Sequence, residues 1–103
     1  DLVSAHLLCL DALPERDRLV YNVGSGSGYS VREVIETARV VTGHDIPSVE
    51  SPRREGDPAR LVASSQKIRR ELGWSPKHDD LHDILASAWD WHQSHPNGYE
   101  EEA

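Results

Sequence analysis

The sequence predicts an α+β fold, mainly helical, with two or more short strands. Apolar residues recur at helical spacing in most of the chain, serines and aspartates stand where helices would begin and glycines where they would end, and only two short runs favour a strand. A length of 103 residues is enough for one modest domain, and neither repeats nor low-complexity linkers divide it.

Leu2, Ala5, Leu8, Cys9 and Ala12 fall at helical spacing up to Pro14, whose ring cannot continue a helix, so a first helix of about a dozen residues is expected. Leu19-Val20-Tyr21-Asn22-Val23 is rich in side chains that suit a pleated surface and is closed by glycines, which predicts a short strand. Ser30 to Glu33 fits a capping box, in which the serine hydroxyl and the glutamate each satisfy one free N–H. The helix it starts places Val34, Ile35, Ala38 and Val41 on one face and ends before Gly43. Pro47 to Ser51 is the second short strand candidate. Ser64 or Ser65 then caps a helix with Ile68 and Leu72 inward and Lys67, Arg69 and Arg70 outward, stopped by Gly73 and Pro76, with Trp74 packing the corner. A last helix from Leu81 to Ser94 carries Leu81, Ile84, Leu85, Ala88, Trp89 and His92 on one stripe, with Trp91 near its edge and Asp79 or Asp80 at its start. Residues 100–103 read as a disordered acidic tail.

Charge and composition narrow the function. With 18 acidic against 11 basic residues the formal net charge is -7, which argues against nucleic acid as a partner. No apolar run is long enough to span a membrane and no charged, apolar leader opens the chain, so a membrane partner is not expected. The single Cys9 cannot form an internal disulfide; it suits a reducing, cytoplasmic setting, and its apolar neighbours make it a core residue rather than a nucleophile.

Two motifs are decoys. Gly24-Ser25-Gly26-Ser27-Gly28 lies between a strand and a helix, where a dinucleotide turn would stand, but Tyr29 occupies the place of the last glycine. A tight turn with glycines at positive φ is the better reading. His78 and His82, and His92 and His95, have helical spacing, yet a zinc site needs three or four convergent ligands. No Gly-x-Ser-x-Gly elbow is present, so a serine nucleophile has no support.

The stretch that carries chemistry is Pro52-Arg53-Arg54-Glu55-Gly56-Asp57. It gathers two arginines in an acidic chain beside a Gly-Asp turn, and a guanidinium fork suits a diphosphate. Together with Glu71-Leu72-Gly73-Trp74, His95-Pro96-Asn97-Gly98-Tyr99, Asp1-Leu2-Val3-Ser4-Ala5-His6 and Tyr21-Asn22-Val23-Gly24, it resembles the C-terminal part of the UDP-glucose 4-epimerase family, over essentially the whole chain. That resemblance implies the UDP-sugar binding part of an extended Rossmann-type, NAD-dependent enzyme, with residues 1–99 as a substrate-domain fragment. It implies that Arg54 contacts the UDP phosphates, that Asp57 accepts from the ribose hydroxyl, and that Leu61 occupies the position whose size limits N-acetylated sugars. Leu is intermediate in size and leaves both sugar classes open. Arg53 is expected to point the other way, as a neighbour does in an extended segment.

The same family needs a Gly-x-x-Gly-x-x-Gly turn and a Tyr-x-x-x-Lys pair, and these residues contain neither. The chain also opens at Asp1, directly on a helix. A C-terminal fragment is therefore expected, separated from an N-terminal NAD-binding domain, binding no NAD itself, inactive alone and prone to self-association through the surface that domain would cover. A related nucleotide-sugar dehydratase or decarboxylase, and a stand-alone non-catalytic binding module, are the alternatives.

Overall fold

The computed structural model describes residues 1–99; the tail expected to be disordered, residues 100–103, lies outside them. The described chain is helical: α1 spans Leu2–Ala12 and runs into a 3-10 turn at Leu13–Glu15, followed by α2 at Val31–Thr42, α3 at Gln66–Leu72 and α4 at Leu81–Ser94. The expectation of an α+β fold is thereby corrected, because no strand forms among the described residues. A strand exists through its ladder, and neither candidate run has a partner segment among the described residues; side chains bond to them instead. Lys67 Nζ donates to the Val20 carbonyl at 3.1 Å. In the second candidate run, the Arg39 guanidinium donates to the Ile46 carbonyl just before it and to Ser48 Oγ within it.

The chain forms two compact units. The first joins Asp1–Gly28 to Arg53–His78 and contains α1 and α3; the second joins Tyr29–Pro52 to the chain from Asp79 onward and contains α2 and α4.

In the first unit Ile68, fully buried, and Trp74 pack against Ala5, with Leu8, Cys9, Tyr21, Val23 and Leu72 around them. The indole N–H of Trp74 donates to the Asp1 carbonyl and to Ser4 Oγ, both at 3.1 Å. The Asp1 carboxylate accepts from the Lys77 and His78 amides, both at 2.9 Å, so the start of α1 and the chain after α3 hold one another. Arg69 lies over the Trp74 ring and donates from Nε to the buried Ser65 hydroxyl at 2.8 Å. Ser65 therefore stands at the cap position of α3 with its hydroxyl turned to Arg69 instead of to a free helical N–H.

In the second unit the capping box forms as the sequence indicates: Glu33 N–H donates to Ser30 Oγ at 3.1 Å and Ser30 N–H to Glu33 Oε2 at 3.3 Å. Gly43 ends α2 in the left-handed region, which a residue bearing a Cβ enters only at a cost. Asp80 caps α4 by accepting from the His82 and Asp83 amides. Packing of α2 on α4 half-buries Val34, Ile35, Ala38, Val41, Leu81, Leu85 and Trp89, whereas Ile84, Ala88 and His92 remain exposed. Trp91, expected at the edge of the α4 stripe, is half-buried; its ring stacks on His95 with centroids 4.5 Å apart, and Tyr99 meets it edge-on.

Helix α1 is apolar on nearly every side. Ala5, Leu8 and Cys9 face the core, and Leu2, Val3, Leu7 and Leu10 are 56–72% exposed. No helix among the described residues is long and apolar enough to cross a membrane.

The contrast between Ile68 and Leu7 is directly measurable. Ile68→Ala removes a fully buried side chain and should cost about 2–5 kcal/mol, as cavity-forming substitutions do, whereas Leu7→Ala should stay within about 0.5 kcal/mol, as surface changes do. Urea denaturation gives both values. Equal losses would contradict the core assigned to the first unit.

Candidate functional site

The arginine loop belongs to the first unit, and its shape follows from one residue. Gly56 adopts φ +81°, turning the chain at Glu55-Gly56 so that residues on either side of it approach. Arg54 Nε donates to Asp57 Oδ2 at 2.9 Å. Arg53 Nη2 donates to the Asp57 carbonyl at 3.2 Å. Both arginines converge on Asp57, one on its side chain and one on its main chain. An extended segment would have sent them to opposite faces; the signal for the difference was the Gly-Asp pair that follows.

The Arg54 side chain is 85% exposed and that of Asp57 is 50% exposed. An ion pair in that setting contributes little to stability, but it aims its donors. With Nε on Asp57, the two terminal nitrogens of Arg54 have no partner among the described residues, and they present the fork that a phosphate oxygen pair accepts. Asp57 Oδ1 likewise has no partner among the described residues and can accept from a hydroxyl. Leu61 is 86% exposed and, unlike Arg54 and Asp57, has no side-chain partner in this group. The structure thus joins Arg54 to Asp57 and adds Arg53.

After Leu61 the chain becomes fixed. A Cβ built on Gly24 would lie 2.8 Å from the Ala63 Cβ, and one on Gly28 would lie 2.8 Å from the Val62 Cγ2. These two glycines are small because residues 62–63 pack against them, and only Gly26 of the run takes positive φ. Residues 62–63 thus close one side of the turn at Gly24 and Gly28, while the space around Gly26 stays open. Among the described residues no three His, Cys, Asp or Glu side chains converge as metal ligands would.

No family model matches the chain. It is 52% identical over 101 residues to a UDP-glucose 4-epimerase of Streptomyces lividans, a match that covers 98% of this chain and 30% of that protein. The crystal structure of a UDP-glucose 4-epimerase superimposes with a TM-score of 0.90 at 50% identity, covering 97% of this chain and 31% of the other. A UDP-glucose 4-epimerase from Bifidobacterium longum, solved in complex with NAD+ and UDP, gives a TM-score of 0.81 at 39% identity, covering 95% of this chain and 29% of the other. The chain spans about three tenths of the length of the relatives it matches and corresponds to their C-terminal part.

The Gly56 turn is open to test. Gly56→Ala finds free space for its methyl but puts a Cβ at φ +81°, a strain of about 1–2 kcal/mol. Amide shifts should move at residues 53–58 and stay in place within the helices. An unchanged loop spectrum would show that the turn does not depend on the left-handed conformation.

Proposed function

Because the chain belongs to the UDP-glucose 4-epimerase family, we propose that its residues form the UDP-gripping part of an enzyme that interconverts UDP-glucose and UDP-galactose. The observation that carries this reading is the convergence of Arg54 and Asp57 at the Gly56 turn. Arg54 clasps the diphosphate through its terminal nitrogens, a charge-assisted, two-pronged contact. Asp57 accepts from a ribose hydroxyl while holding Arg54 in aim. Leu61 borders the sugar.

This division of labour suits an epimerase. The nucleotide does not react, so gripping it uses binding energy remote from the reacting carbon to orient the sugar. NAD, in the full-length enzyme, supplies the hydride chemistry at the sugar's C4, and it is held outside these 103 residues. These residues carry neither the Gly-x-x-Gly-x-x-Gly turn nor the Tyr-x-x-x-Lys pair of that chemistry. The exposed apolar face of α1 supports a covering domain in the assembled, cytoplasmic enzyme, and self-association of the chain when alone.

Substitution in the full-length enzyme tests the site. Arg54→Ala should weaken UDP binding by about 2 kcal/mol, a loss of roughly 30-fold, because it removes a charge-assisted contact. Calorimetric titration reads the change, and an unaltered affinity would remove Arg54 from the site. Incubated with UDP-galactose and NAD, the 103-residue chain should form no UDP-glucose above a protein-free control; product there would refute the division of labour. Sedimentation of the chain should show mass rising with concentration, and a monomer at every concentration would count against an uncovered α1 face.

A further inference from the structure

We propose that Arg53 is a positioning residue that closes the Gly56 turn from the main-chain side and thereby keeps Arg54 and Asp57 paired for a diphosphate. The inference rests on the reading of Arg54 and Asp57 as UDP-binding groups and gives Arg53 a role that acts through them.

Three observations carry it. Arg53 Nη2 donates to the carbonyl of Asp57, four residues on, so the bond spans the whole turn and fixes the backbone that carries the Asp57 carboxylate. Arg54 Nε holds that carboxylate from the other side; both bonds are exposed, so neither alone holds the turn, and the two together tie Asp57 by side chain and main chain. The residue between them, Gly56, has the widest conformational freedom of any residue type and leaves the turn open to other shapes. A loop so built needs a second tie, and among the described residues the Arg53 bond to Asp57 is the tie across it. A guanidinium engaged on a main-chain carbonyl acts as a brace, and the titration below separates that role from direct contact with phosphate.

The test uses the 15N-labelled 103-residue chain in two arms. Without ligand, Arg53→Ala should lower the heteronuclear NOE at the Gly56 and Asp57 amides while leaving α1 to α4 unchanged. In UDP titrations at two salt concentrations, Arg53→Ala should weaken binding three- to fivefold and reduce the salt dependence less than Arg54→Ala does, since it removes a nearby charge but no phosphate contact. An unchanged NOE would overturn the proposal. So would a salt dependence reduced as far as by Arg54→Ala, which would make Arg53 a direct phosphate ligand. A lowered NOE together with wild-type binding that Arg54→Ala leaves intact would overturn it through the reading it rests on, while leaving the brace itself in place.

Discussion

The first unit depends on the burial of Ile68 and Trp74 against Ala5. That contact seats α3, and the indole of Trp74 ties the seat to the first residue of the chain. With α3 in place, Ser65 is buried under the Arg69 guanidinium, and residues 62–63 lie against Gly24 and Gly28. The segment that arrives from the arginine loop is therefore fixed at its far end, from Val62 to Ser65. The stretch from Arg53 to Leu61 stays outside the core, exposed, shaped by its own turn and by bonds among its own residues. A loop with its far end packed and its tip held by its own bonds is suited to the proposed contact with a ligand.

The amount buried sets the character of the whole. Among the described residues only Ala5, Ile68 and Trp74 form the buried apolar set, and the second unit contributes half-buried side chains alone. Four large apolar side chains of α1 face water at the same time. Monomeric proteins seldom expose so continuous an apolar surface without a partner for it. The relatives, more than three times as long, fit that pattern. Under the proposed function, exposed apolar α1 and exposed polar loop have different meanings: one is a surface to be covered, the other a surface to be occupied.

Much of this was legible in the residues. The capping box at Ser30 and Glu33, the glycine stops at Gly43 and Gly73, the breaks at Pro14 and Pro76, and the inward Ile68 and Leu72 are local signals, and local signals fix helices. Leu19 to Val23 failed as a strand for the opposite reason. Strand-favouring side chains declare suitability, whereas a ladder needs a second segment, and Lys67 reaches the Val20 carbonyl in its place. At the site, the residue types were readable but not the bond from Arg53 to the Asp57 carbonyl, which forms across a turn with Gly56 at positive φ. The glycine run illustrates the same limit: Gly24 and Gly28 answer to neighbours some forty residues away that no local pattern announces.

The proposed function rests on two kinds of information, a motif that suggests a chemistry and a turn that brings its residues together. The direct test is amide shift mapping of the 15N-labelled chain with UDP. Shifts that move progressively at Arg53 to Asp57, with smaller movement at Leu61, are the predicted result. Shifts centred on Gly24 to Gly28, or a loop spectrum unmoved at saturating UDP, would contradict the account.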